Sequence, residues 1–192
     1  MQVHCAPLSP DEIVVVDGIA CTSPARTVVD VARTVPFEQA VVTADGALRG
    51  GLDGPALAAA LRRAKGWEGV PAARRVAAFA DGRSESVGES RSRVVIAACG
   101  LPTPELQWPV RYRGATAYTD FGWVAQRTVG EFDGKIKYGR TLAAGRTPGE
   151  VVYAEKLRED AIRAESWEVV RWTWPDLDDF GPTAKRIRER FR

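Results

Sequence analysis

Apolar positions along the chain change period several times, and each change marks an element. Ile13-Val-Val-Val16 is a short continuous apolar run that predicts a strand, ended by the turn pair Asp17-Gly18. Thr22-Ser23-Pro24 predicts a helix start, with Ser23 as cap and Pro24 at the first helical position. Val28, Val29, Val31 and Ala32 then form a helical apolar stripe that Pro36 interrupts. Further helices are predicted over 37–48, 55–64 and 71–79, the first ended by Arg49-Gly-Gly-Leu-Asp-Gly54. Trp67 falls in a loop, Lys65-Gly-Trp-Glu-Gly69, where its ring is expected to plug a gap between two halves of the chain.

The loop Asp81-Gly-Arg-Ser84 is the expected boundary, dividing a helical N-terminal region, 1–82, from a second domain, 83–192. Beyond it, 86–99 predicts a helix closed by Gly100. Segments 106–112, 116–124 and 127–133 predict three successive antiparallel strands. A polar loop over 139–149 leads to a charged helix over 150–165, a late strand over 167–172 and a basic helix or tail over 176–192. Helix, three-strand meander, helix and strand together predict an α/β domain with a mixed sheet flanked by helices.

Composition narrows the class. With 192 residues, 45% hydrophobic content and six tryptophans, the chain has material for a real core and is not a disordered chain. The net charge of +2 permits nucleic-acid binding without arguing for it. Lysine occurs only at 65, 135, 137, 156 and 185, and the richness in Arg and Ala fits a high-GC source. Arg62, Arg63, Arg74 and Arg75 admit two readings, a basic binding face or, more ordinarily, a solvated helix surface.

Cys5, Cys21 and Cys99 are odd in number and widely spaced, which argues against a disulfide framework or a zinc knuckle and for a reducing cytoplasm. The single histidine, His4, makes a histidine-based triad or metal site a poor fit. No apolar run reaches membrane-spanning length, and no signal-peptide layout opens the chain, so no membrane role is expected.

Chemistry concentrates in 120–135. Asp120 ends one strand-like segment, and Val129-Gly-Glu131-Phe-Asp133-Gly-Lys135 forms the next. Alternation places Glu131, Asp133 and Lys135 on one face and Gly130, Phe132 and Gly134 on the other. Neighbouring like charges repel, and a divalent cation is their usual compensation; hard oxygen ligands favour Mg²⁺ or Mn²⁺. Asp120 is notable because Asp is depleted in strands and costly to bury alone. Lys135, Lys137, Arg140, Lys156 and Arg158 are placed to line a phosphate-facing groove. For Lys156 and Arg158, pairing with Asp160 and Glu155 along one helix is an equal alternative. Trp167, Trp172 and Trp174 read as core rather than as base-stacking platforms.

Together Glu89, Asp120, Glu131-Phe-Asp133-Gly, Arg158-Glu-Asp160 and Ser166-Trp-Glu-Val-Val-Arg-Trp-Thr-Trp174 resemble the PD-(D/E)XK nucleases. Their nearest branch is similar to the very-short-patch mismatch-repair endonucleases, with Ser166 where that branch usually has glycine. The resemblance covers about half the chain and implies a restriction-endonuclease-like fold. The implied activity is Mg²⁺-dependent hydrolysis of DNA phosphodiesters by a metal-activated water. Two registers of the site stay open. In one, Asp120 and Asp133 bind metal and Lys135 is the motif lysine. In the other, which the E-x-D-G pattern favours, Asp120 and Glu131 bind metal and Asp133 occupies the lysine slot. Glu89 completes the acidic cluster in either case, and its bland alternative is a helix-surface pair with Arg93. Thr22-Ser-Pro-Ala-Arg-Thr-Val-Val-Asp30 and the helices after it resemble the non-winged portion of AbiE-type antitoxins of actinobacteria. The winged helix that begins those proteins finds no room before Val3. This second resemblance implies the rival function, a catalytically inactive nuclease-like domain in an antitoxin-type or DNA-binding regulatory protein, with a cognate toxin or other protein as partner.

Overall fold

A computed structural model describes residues 6–112, 114–134 and 148–191, the side chains of 148 and 150–155 excepted. The chain divides into two compact units, Met1–Glu85 and Ser86–Arg192. The division falls just past the expected boundary loop, because that loop is tied backwards. Asp45 accepts a hydrogen bond from the Asp81 amide at 2.8 Å, and Arg49 donates to the Ser84 carbonyl.

The N-terminal unit opens with a hairpin, β1 (Ile13–Val16) and β2 (Ile19–Thr22), paired antiparallel from Ile13↔Thr22 to Val16↔Ile19. Asp17 and Gly18 both have positive φ, 50° and 80°, as the two-residue hairpin turn requires. The sequence reading found that turn but missed β2, a segment of only four residues running straight into a helix cap. Helices α1 (Pro24–Thr34), α2 (Phe37–Arg49), α3 (Gly54–Arg63) and α4 (Val70–Phe79) follow. The predicted stripe is the buried face of α1, with Val28, Val29 and Ala32 almost wholly enclosed. Alanines dominate the facing positions, Ala40, Ala44, Ala60 and Ala73 among them, so the helices approach closely. A side chain at Gly69, which caps α4 at φ 77°, would collide with the Arg33 carbonyl.

Arg26 is the polar centre of this unit. It is 4% exposed, and its guanidinium meets Glu12 at 3.1 Å, Asp30 at 2.6 Å and the Pro7 carbonyl at 2.7 Å. Trp67 lies under Arg26 and Arg33, 4.8 and 5.0 Å from their guanidinium carbons. The ring is therefore a stacking partner of two arginines inside the first unit.

The C-terminal unit begins with α5 (Val87–Ala98), followed by β3 (Glu105–Tyr112), β4 (Ala115–Trp123) and β5 (Thr128–Phe132). After α6 (Pro148–Ala164) come β6 (Glu168–Trp172), α7 (Trp174–Asp178) and α8 (Gly181–Arg190). The sheet order is β3-β4-β5-β6, antiparallel except for β5 and β6, which run parallel and are joined through α6. The unit is thus α/β with a mixed sheet, as expected. The expected terminal helix or tail is two helices, broken where Gly181 and Pro182 follow Phe180.

Val169 and Val170 are neighbours in β6 and point to opposite faces of the sheet, so each marks one core layer. Val170 packs with Ile96, Leu106, Phe121, Phe132, Trp172 and the α7–α8 residues Leu177, Phe180 and Ile187. Val169 packs with Val110, Ala117, Val129, Trp167 and Ile162 of α6. Trp167 and Trp172 are core residues, 8% and 1% exposed, as the sequence suggested. The Trp172 indole donates to Ser92 Oγ at 2.7 Å, and Ser92 in turn donates to the Gly88 carbonyl. α5 sits so close to β5 that a methyl group on Gly88 would lie inside the Phe132 ring.

Three stability outcomes follow. Arg26→Ala leaves Glu12 buried without its cation and is expected to cost about 3–5 kcal/mol in denaturant unfolding of the N-terminal unit. Gly88→Ala forces α5 off the sheet and is expected to cost at least about 1–3 kcal/mol. The third concerns Asp176, where burial works to raise the carboxyl pKa. It is outweighed by hydrogen bonds from the Thr173 amide and hydroxyl and the Thr183 hydroxyl, and by Arg186, so the pKa falls below its ordinary 3.8. A lowered folded pKa means the carboxylate stabilises the fold fully above the unfolded value and loses that contribution as pH falls through the folded one. Asp176→Asn should therefore lower the melting temperature at neutral pH, and the gap to wild type should close in melts taken down to about pH 2.

Candidate functional site

The strands carrying the acidic residues do not run straight. β3 and β4 pair at Leu106↔Phe121 and again at Trp108↔Thr119, but Gln107 and Asp120 between them are not bridged. Gln107 has φ 52°, a left-handed conformation rare for a non-glycine residue inside a strand. Leu106 and Phe121 belong to the core layer on the α5 face, whereas Val110 and Ala117, at even spacings further along, belong to the layer under α6. An uninterrupted hairpin keeps such positions on one face. The hairpin therefore turns over at Gln107 and Asp120.

The β4–β5 ladder stops at the same place. Its pairs are Trp123↔Thr128, Gly122↔Val129 and Phe121↔Gly130. One further step would set Asp120 opposite Glu131. Instead the Asp120 carboxylate reaches across and accepts the Phe132 amide at 2.8 Å. A backbone donor left without its ladder partner must be met by something else, and here a side chain meets it. By register Gln107, Asp120, Glu131 and Arg171 fall at one level of the four strands, a row in which Glu131 alone is paired directly, to Arg171 in the parallel ladder.

Glu131 faces α6, 8% exposed as a residue. Its Oε2 meets Arg171 at 2.9 Å, and its Oε1 is ion-paired with Arg158 of α6. Arg158 also donates to the Tyr118 carbonyl at 3.3 Å, and Arg171 also meets Glu159 at 3.3 Å. Glu159 is further paired with Arg163 at 2.8 Å. A carboxylate this enclosed requires such partners, since an isolated buried charge is costly.

On the opposite face Glu89 is 3% exposed. It sits in the first turn of α5 below the cap Ser86, whose hydroxyl donates to Glu89 Oε1 at 2.7 Å, while Gln107 Nε2 donates to Oε2 at 3.1 Å. Glu89 is thus bound to the turnover point of the hairpin through the strained Gln107. Asp133 lies one residue past β5, half-buried, with its amide donated to the Trp172 carbonyl at 2.8 Å. Lys156 is exposed on α6. Lys135, Lys137 and Arg140 lie outside the described residues.

Of the expected site residues, then, Asp120 and Glu131 share a row, Glu89 joins it through Gln107, and Asp133 stands at its end. Arg158 comes to the row as a counterion of Glu131, while the side chain of Glu155, its expected helix partner, lies outside the described residues. Gln107, Glu159 and Arg171 are members that the sequence reading did not single out. Arg171 had a visible signal, a lone cation inside the apolar run Trp167-Glu-Val-Val-Arg-Trp172. Among the described residues, no three acidic, cysteine or histidine side chains stand close enough together to hold a metal ion.

Comparison with known proteins adds no chemistry. No family model matches the chain, and no solved structure matches it. Two curated relatives do, the uncharacterized proteins MT2308 and Rv2248 of two Mycobacterium tuberculosis strains. Each is 39% identical over 157 residues, covering 81% of this chain and 55% of the relative. The chain is thus similar to these mycobacterial proteins and spans about half the length of the curated relatives it matches.

Proposed function

We propose that the C-terminal unit is a restriction-endonuclease-like domain that hydrolyses DNA phosphodiesters with Mg²⁺ or Mn²⁺. One observation carries this reading. Carboxylates from three elements flank the place where the sheet ladder is interrupted: Asp120 of β4 in the gap itself, Glu131 of β5 on the α6 face with Asp133 following it, and Glu89 of α5 on the other face, tied in through Gln107. Strained and interrupted backbone of this kind gathers at functional sites, and here it falls on the carboxylate row. The order helix, three-strand meander, crossover helix, parallel strand supports the same fold.

In kind, these oxygen donors suit a hard divalent cation. In the arrangement seen they do not fit one, because Glu131 gives both oxygens to arginines. What the chain itself supplies is clearer. The Phe132 amide orients Asp120, Ser86 and Gln107 orient Glu89, and Arg158 offers positive charge beside the row. Lys156, Lys135 and Lys137 extend the proposed phosphate-contacting set.

The saturation of Glu131 favours a second reading, in which the domain binds DNA without cutting it. The N-terminal unit would then serve as the antitoxin-like part of a cytoplasmic regulator with a cognate toxin as partner. Plasmid nicking in Mg²⁺ and in Mn²⁺ separates the two. The nuclease reading expects nicking by the wild type and a loss of about 100-fold or more in Asp120→Asn and in Glu131→Gln. Plasmid that stays supercoiled in both metals, although the protein binds it, gives the field to the regulator. Asp120→Ala also removes the acceptor of the Phe132 amide, and a stability loss of about 1–3 kcal/mol is expected in chemical denaturation whichever reading holds.

A further inference from the structure

Glu131 is buried, yet the two arginines that neutralise it are not. Its side chain is 11% exposed, whereas those of Arg158 and Arg171 are 27% and 32% exposed. Each arginine side chain therefore meets the carboxylate while keeping part of its surface open to solvent. A guanidinium carries five donors in a planar fork, and that fork binds a phosphate as readily as a carboxylate. Arg158 comes from α6 and Arg171 from β6, so the pair flanks the carboxylate row from two independent elements. Lys156 is exposed on the same helix, two residues before Arg158.

We infer that Arg158 and Arg171 form a phosphate-binding fork for the DNA backbone, and that Glu131 is its internal competitor. The inference rests on the nucleic-acid reading above and deepens it. In the free protein the fork holds Glu131 and the row is electrically quiet. A backbone phosphate docking on α6 and β6 takes over part of the donor set, and Glu131 is released from ion pairs that otherwise occupy both its oxygens. The misfit between the carboxylates and a cation is then a property of the DNA-free state. Glu159 tunes the exchange, because it already draws on Arg171 at 3.3 Å.

The competition has an unusual sign. Removing an acidic residue from a surface generally helps DNA binding slightly through long-range charge, but removing a buried carboxylate that occupies two arginines should help much more. Binding of a short labelled DNA duplex, followed by fluorescence anisotropy in EDTA, measures this without any metal. Glu131→Gln is expected to bind about tenfold more tightly than wild type, one ion-pair competitor being worth roughly that factor. Glu165→Gln, on the exposed turn after α6, controls for charge alone and should change affinity less than about twofold. Arg158→Gln with Arg171→Gln should weaken binding and reduce the slope of log affinity against log salt by about 2.

Unchanged or weaker binding by Glu131→Gln overturns the inference, as does an equal gain in Glu165→Gln. Should Glu131→Gln fail to fold by circular dichroism, the salt slope of the arginine double variant decides. A reduced slope sustains the fork, and a wild-type slope removes it. The nuclease reading stands or falls separately: intact plasmid with a gain in Glu131→Gln leaves the fork without the nuclease. Nicked plasmid without that gain leaves the nuclease without the fork.

Discussion

The Phe132 amide and the Asp120 carboxylate, 2.8 Å apart, hold the arrangement on which the C-terminal unit depends. A buried backbone donor has to find an acceptor, and at this position the facing strand no longer supplies a carbonyl. With Asp120 filling that role, β4 is free to turn over next to it, and β3 follows through the left-handed Gln107. The turnover lets one hairpin contribute to both core layers, Leu106 and Phe121 to one and Val110 and Ala117 to the other. A strand whose alternation never slipped would commit all four residues to a single layer.

Electrostatics then fixes what covers the sheet. Glu131 points away from the α5 layer toward α6, and its charge is tolerated because Arg158 of α6 and Arg171 of β6 both pair with it. The opposite carboxylate, Glu89, accepts from the Ser86 hydroxyl and the Gln107 amide. Two acidic residues on opposite faces of the sheet are therefore anchored to different elements. Glu131 is paired with Arg158 of α6 and Arg171 of β6, and Glu89 is tied to the cap of α5 and to β3.

Much of the architecture was legible because it is local. The stripe Val28, Val29, Ala32 and the cap Ser23 with Pro24 identify α1 without any tertiary information. The three-strand meander and the late strand were readable from apolar runs bounded by glycine and proline. Asp120 stood out as an acid in an apolar strand, and its role in the ladder justifies that notice. What escaped is long-range or conformational. Nothing in the residues around Gln107 announces a left-handed backbone, and Arg171 acquires its meaning only from Glu131, forty residues earlier in the chain and one strand away in space. The partners of Trp67 escaped for the same reason, since Arg26 and Arg33 lie on a helix that closes over it only in three dimensions.

The ion pairs behind the row alternate in sign. Arg163 is bound to Glu159, Glu159 to Arg171, Arg171 to Glu131, and Glu131 to Arg158. Such a series behaves as a relay rather than as four separate contacts, because each of its three interior charges is shared by two neighbours. Methylating or neutralising Arg163 at the exposed end frees Glu159 to draw harder on Arg171, and that loosens Arg171 from Glu131 two links away. The interior carboxylate is thereby wired to the solvent face of α6, and the outer rim of that helix becomes a place from which the row can be tuned without being touched.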